Sequence, residues 1–109
     1  MSRNVTNQST IQLEARLFNG FADSSRLTIL KSLIDKEKSV SDVVEETGLS
    51  QPNVSAHLSC LKECGLVQSR HDGRQVIYSL VDKKIAELIE LGQSILKLTA
   101  NTIFACTRY

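Results

Sequence analysis

One stretch near the middle of the chain constrains the fold most, because it holds two helix signals separated by a glycine turn. Ser39 or Ser41 can cap a short helix that stops at Gly48, the residue type that suits the left-handed turn after a helix. Ser50 then caps a second helix, and Pro52 lies in its first turn, where its missing N–H costs no hydrogen bond. A short helix, a turn of three or four residues and a second helix form a helix-turn-helix.

The apolar residues change period after this second helix, which Gly65 closes. Val76, Tyr78 and Leu80 alternate with other residues, as they do in a strand with one buried face. Asp72–Gly73 lies between the two halves of this segment and is a strong hairpin-turn signal. The sequence therefore predicts a two-stranded wing after the helix-turn-helix.

Helical spacing of apolar residues also occurs on both sides of this unit. A first helix from about Ser9 to Gly20 and a long last helix from Asp82 both have broad apolar sectors, which are typical of a subunit interface. We predict a mainly α fold with a β-hairpin, a winged helix-turn-helix with additional N- and C-terminal helices forming a dimer. The predicted divisions are a disordered tail over residues 1–8, a DNA-binding and dimerisation domain over 9–98, and a C-terminal tail over 99–109.

The composition of the chain indicates where the protein is located and what its cysteines do. The 109 residues are 41% hydrophobic and 23% charged, with a net charge of +1, so a nucleic-acid partner must be argued from where the polar groups lie. No apolar run reaches membrane-spanning length and the polar start has no signal-peptide pattern, which predicts a cytoplasmic protein without a membrane partner. In that reducing compartment three cysteines indicate metal binding or redox chemistry more than a structural disulfide.

The first half of the second helix has the side chains of a DNA-reading element. Val54, Leu58 and Leu61 form its buried face, which leaves amide and hydroxyl groups on the flanks, where they can reach base edges or phosphates. A solvated polar face and a protein-binding face are the alternatives. The predicted DNA-binding residues are Ser50, Gln51, Asn53, Ser55 and His57 on the helix, with Arg70, His71 and Arg74 at the wing tip. For His57, a polar contact at the core edge and a metal-ligand role remain open.

The second half of the same helix carries two cysteines. Cys60 and Cys64 are four residues apart, so their side chains lie on one side of the helix and close enough to share an ion. Two thiolates alone make a weak metal site, and Cys106 is the only other cysteine. The alternatives are buried, chemically inert thiols and a redox-sensing pair.

Three segments of the chain resemble the ArsR/SmtB family of metal-responsive repressors, and the resemblance covers roughly residues 13–98. They are Phe21–Leu30, Leu49–Leu58 and Gly73–Tyr78, in the family's order and spacing. This resemblance implies a homodimeric DNA-binding repressor with a winged helix-turn-helix fold. An enzyme is not expected, because no carboxylate pair, activated nucleophile or phosphate loop is visible.

Within that family the segment Cys60–Val67 resembles the cadmium/lead-sensing subgroup represented by CmtR. The subgroup has a Cys-x-x-x-Cys pair followed by Gly-Leu-Val, and it completes its site with a tail cysteine of the other subunit, a position that Cys106 matches. The resemblance implies metal ligands Cys60, Cys64 and Cys106, with Cd(II) or Pb(II) as effector and Zn(II) as a further candidate. It also implies that the metal-free homodimer binds an inverted-repeat operator in double-stranded DNA and is released by metal. The main alternative is a thiol-redox-sensing winged-helix repressor.

Overall fold

Five helices and three strands make up the fold. The structure, a computed structural model, describes residues 8–105, and side chains over residues 9–102. The elements in chain order are α1 (Gln8–Asn19), α2 (Ser24–Ser32), β1 (Lys38–Ser39), α3 (Val40–Thr47), α4 (Gln51–Glu63), β2 (Val67–Asp72), β3 (Gln75–Leu80) and α5 (Lys83–Ala105). The predicted helix-turn-helix is α3 and α4, and the predicted wing is β2 and β3. The mainly α winged helix-turn-helix is therefore confirmed.

The helices begin where capping side chains satisfy free N–H groups of the first turn. Asp23 and Ser50 each accept a hydrogen bond from the backbone N–H three residues further on, at 3.0 and 3.3 Å. Ser39, rather than Ser41, caps α3 through a capping box in which Asp42 accepts a hydrogen bond from the Ser39 N–H at 3.2 Å. These local bonds fix the angle at which α4 leaves the turn, and so the direction in which its first residues point.

The hydrophobic core lies where α2, α3 and α4 meet, closed by the sheet and by one turn of α5. Val54, Leu58 and Leu61 are buried along the predicted inner face of α4. Since this face is fully enclosed, α4 is held rigidly while its other faces stay open. The remaining buried residues of the cluster are Ile29, Leu30, Leu33, Val43, Leu66, Val67 and Ile89.

The sheet has three strands instead of the predicted two. Its order is β1-β3-β2, and Lys38 and Ser39 of β1 pair with Tyr78 and Ile77 of β3. The prediction missed β1 because two residues are too few to show a period. Lys38 also reads as an exposed charge, yet it is buried: its ammonium donates to the Ser32 carbonyl and forms ion pairs with two carboxylates.

The two faces of the sheet differ in what covers them. Tyr78 and Leu80 pack against the core and are half-buried, as is Val76, so the strand lacks the single buried face that its alternating residues predict. Ile77 points to the opposite face, and yet only 8% of its surface is exposed.

The first and last helices leave much apolar surface uncovered within one chain. Between α1, α2 and α5 lies a groove of about 480 Å³, lined mainly by apolar side chains. The last helix continues to Ala105, so residues 99–105 of the predicted tail are helical. None of the helices within residues 8–105 is long and apolar enough to cross a membrane. The exposed large apolar residues of α1 and α5 are Ile11, Leu13, Leu17, Phe18, Leu91, Ile95, Leu96 and Leu98.

Candidate DNA-binding surface and thiol site

The N-terminal half of α4 presents polar side chains on an exposed surface. Gln51 and Asn53 are exposed, and the Gln51 amide donates to the Ser55 hydroxyl at 3.3 Å. Ser50 is occupied as the helix cap. Its hydroxyl accepts from the backbone, whereas the exposed amide of Asn53 and the remaining amide groups of Gln51 can contact base edges in a major groove.

His57 lies one turn further along and faces the start of α2. It is 23% exposed, and its Nε2 is 3.9 Å from Oδ2 of Asp23, the cap of α2. The hydrogen bond from the Arg26 N–H lowers the pKa of the Asp23 carboxyl, and the charges of Arg26 and His57 add to that effect against the opposing influence of burial. Of the alternatives for His57, this geometry favours a polar contact at the edge of the core.

The two predicted cations of the wing differ in their surroundings. The Arg70 guanidinium donates to both carboxylate oxygens of Glu37, with Nε–Oε1 at 3.1 Å and Nη2–Oε2 at 2.5 Å. This pairing raises the pKa of Arg70 and lowers the pKa of Glu37. Within residues 9–102, Arg74 has no ion-pair partner. Arg74 and the exposed His71 are thus free at the wing tip, while Arg70 already has an anionic partner.

The two thiols lie together at the C-terminal end of α4, and both side chains are exposed. Cys64 caps the helix, and its N–H donates to the Cys60 carbonyl at 3.0 Å. Partial burial raises the pKa of the Cys64 thiol, and the adjacent Cys60 raises it further. Two accessible thiols, one turn apart on the same helix, suit a soft metal ion as two of its ligands.

A complete metal site is not found within residues 9–102. No three side chains of His, Cys, Asp or Glu in that range are grouped so that they could hold an ion. The predicted third ligand, Cys106, lies outside the described residues. The pair Cys60–Cys64 therefore fits part of a thiophilic site, and its remaining ligand must come from elsewhere.

Sequence reasoning missed Glu37 and the contact between Asp23 and His57. Asp23 caps α2, and nothing in the local pattern connects it with a residue in α4. Glu37 lies in a charged run, 33 positions before Arg70. Only the antiparallel pairing of β1 with β3 brings these two residues together.

Comparison with known proteins places these features in a family. A family model described as "Bacterial regulatory protein, arsR family" matches residues 23–69. A protein of Streptomyces lividans named "Probable mercury resistance operon repressor" is 40% identical over 94 residues, which cover 86% of this chain and 75% of that protein. The transcriptional regulator CmtR of Mycobacterium tuberculosis is 43% identical over 83 residues, covering 75% of this chain and 70% of the regulator.

A solved structure agrees with these relatives. A homodimeric winged helix-turn-helix DNA-binding domain of Mycobacterium bovis, described as a possible ArsR-family transcriptional regulator, superposes with a TM-score of 0.76 and 28% identity. The match covers 91% of this chain and 93% of that domain. From the relatives, the family model and the shared fold together, the chain belongs to the ArsR family of bacterial regulatory proteins, which are DNA-binding transcription regulators and not enzymes.

Proposed function

We propose that this protein is a homodimeric, metal-sensing repressor that binds an inverted-repeat operator without metal and leaves it when a soft divalent ion binds. The ligands are Cys60 and Cys64 with Cys106 of the partner subunit, and the effector is Cd(II) or Pb(II), with Zn(II) as a further candidate. The observation that carries the proposal is the placement of two exposed thiols on the helix that also presents Gln51 and Asn53.

The chemistry of the site supports a thiophilic effector. Thiolates select soft ions, and three sulfur ligands without a fourth suit cadmium or lead better than tetrahedral zinc. A relative named for mercury resistance is consistent with an effector of this class. Because mercury is equally thiophilic, it belongs beside cadmium, lead and zinc in any test of the effector.

The uncovered surfaces of α1 and α5 support a dimer. Leu98 is 86% exposed in one chain, and several other large apolar side chains of the two helices are also exposed. Large exposed apolar patches rarely remain uncovered in soluble proteins. A two-fold dimer formed through these helices places two copies of α4 on one duplex, and two-fold symmetry in the protein matches an inverted repeat in the DNA.

Release follows from linkage between the two ligands. If metal binds the free dimer more tightly than the DNA-bound dimer, metal weakens operator binding by the same factor. The corresponding coupling free energy is typically about 1–3 kcal/mol. The rigid backbone of α4 connects Asn53 to Cys64, with Leu58 buried between them. A metal bond at one end of this helix therefore favours a helix position that fits the DNA groove less well.

The direction of the Cys64 pKa supports metal sensing over thiol-redox sensing. Peroxide-reactive cysteines are usually thiolates with a lowered pKa. Burial and the neighbouring Cys60 instead raise the pKa of Cys64. A thiol that is protonated in the absence of an ion, and releases its proton to solvent when its sulfur binds a metal, fits the metal-sensing function better.

The test is a titration of the reduced protein, free and bound to a fluorescent promoter fragment. We expect cadmium to produce thiolate charge-transfer absorbance and to lower the anisotropy of the DNA complex, with lead, zinc and mercury compared at equal concentration. Peroxide-sensitive DNA binding without any metal absorbance would establish the redox alternative. Failure to bind any promoter fragment at low salt would instead indicate a winged helix that binds proteins.

A further inference from the structure

The ion pair between Arg70 and Glu37 crosses the sheet. In the strand order β1-β3-β2, Arg70 pairs with Ile77, and Ile77 pairs with Ser39. Glu37 precedes β1, so β3 lies between the two charged residues. A guanidinium on β2 can reach Glu37 only by passing over β3 on the face away from the core.

This path brings the Arg70 side chain close to Ile77. Ile77 lies directly opposite Arg70 on β3 and is 8% exposed, so it sits in the row that the Arg70 side chain crosses. The aliphatic part of an arginine side chain readily covers apolar surface while its charged end stays hydrated. Glu37 thus holds Arg70 flat against the sheet, so the guanidinium does not extend freely from the wing.

The ion pair between Arg70 and Glu37 also lowers the net positive charge at the wing. Arg70 and Arg74 carry two positive charges, and Asp72 and Glu37 carry two negative charges, so these four side chains balance. The Arg70 and Glu37 side chains are 53% and 46% exposed, which leaves the pair within reach of an approaching phosphate. A phosphate oxygen and a carboxylate oxygen compete for the same guanidinium donors.

We propose that Glu37 competes with DNA phosphate for Arg70, and so lowers the affinity of the wing for DNA. The inference rests on the DNA binding in the proposed function. On unrelated DNA the carboxylate keeps Arg70 occupied, and that phosphate contact is not made. On the operator, contacts from α4 hold the wing close to the backbone, where Arg70 exchanges Glu37 for a phosphate.

The substitution Glu37→Gln tests this proposal, because it keeps the shape of the side chain and removes the competing charge. Binding of a duplex of unrelated sequence is measured by fluorescence anisotropy over a series of salt concentrations. We expect several-fold tighter binding at low salt, and a plot of log K against log salt concentration that is steeper by about one, the value for one additional phosphate contact. Operator binding should also tighten, by at least the same factor, because the ion pair no longer has to be broken there.

Two further variants make the test specific. Glu90→Gln removes the same charge from an exposed position on α5, and it should leave the salt dependence unchanged. Arg70→Met keeps an aliphatic side chain over Ile77 but has no guanidinium, and in that background Glu37→Gln should have no effect.

Three results would overturn the proposal. The first is an unchanged salt dependence of DNA binding in Glu37→Gln, and the second is weaker DNA binding by that variant. The third is a gain in DNA affinity from Glu37→Gln that persists in the Arg70→Met background, because it would show that Glu37 repels DNA phosphate directly. If the wild-type protein binds no DNA at low salt, the proposed function fails, and that outcome is distinct from these three.

Discussion

The two halves of α4 differ in how much of their function one chain can supply. In the N-terminal half the cap, the inner face and the exposed amides are all set by residues within a few turns, such as Ser50, Val54 and Ser55. In the C-terminal half Cys60 and Cys64 are exposed, and residues 9–102 offer no third ligand. The comparison indicates that the proposed DNA-reading surface is formed by local residues, whereas the proposed metal site needs a further ligand from the tail or from a second subunit.

Because the two halves of α4 carry different side chains, the proposed DNA binding and the proposed metal response should be separable by substitution. Both halves share the buried face of the helix, while the proposed DNA-reading residues and the thiols lie on exposed faces. A variant of the buried face should therefore impair both activities, and variants of the exposed faces should impair one each.

The largest effect is expected for Leu58→Ala. Leu58 is fully buried at the middle of α4, and removing such a side chain usually costs roughly 2–5 kcal/mol of unfolding free energy through lost burial and the cavity that remains. Urea unfolding of the variant measures this loss, and both operator affinity and metal response should decline with it. Ser59→Ala, at the exposed neighbouring position, is the matched control. A stability loss of less than about 1 kcal/mol would show that the centre of α4 is not the common support.

A smaller and more selective effect is expected for Asn53→Ala. An amide that contacts a base edge contributes about 1–3 kcal/mol to recognition, so operator affinity should fall by that amount while the stability of the protein is unchanged. The factor by which cadmium weakens binding should stay as in the wild type, because the thiols are untouched. Anisotropy with and without cadmium gives both values. Unchanged operator affinity would remove Asn53 from the reading surface.

The helix caps, the buried face of α4 and the hairpin turn could all be predicted from local sequence patterns. Asp23, Ser39 and Ser50 cap helices because each side chain bonds to a backbone N–H only three residues away. The buried face of α4 follows from the helical period alone. The hairpin turn at Gly73, where φ is 65°, depends likewise on neighbouring residues.

Features that depend on distant residues could not be predicted in this way. The strand β1 forms because Lys38 and Ser39 meet β3, and a two-residue strand has no period of its own. The partner of Arg70 is determined by strand order, which places Glu37 across the sheet. The assignment of Cys106 as a metal ligand rests on the family resemblance, and the residue lies outside the described part of the chain.

The pH dependence of metal binding gives a smaller effect that is specific to the thiol half. Because burial and Cys60 raise the pKa of Cys64, its thiol is protonated at neutral pH and must release a proton when metal binds. Metal affinity should therefore rise with pH below the thiol pKa, by up to about tenfold per pH unit for each proton displaced. Competition with a chelator of known affinity measures this slope. Cys64→Ser should make the slope shallower, and a wild-type affinity that is independent of pH would contradict thiolate ligation.

The most direct test of the account is the cadmium dependence of operator binding in Cys60→Ser. Serine has nearly the same shape at this exposed position but lacks the soft sulfur, so the metal-free variant should bind the operator as the wild type does. Cadmium should weaken wild-type binding by about 5- to 150-fold, the usual range for such coupling, and should leave the variant's affinity unchanged. A Cys60→Ser protein that cadmium still releases fully from the operator would contradict the claim that α4 both reads DNA and senses metal.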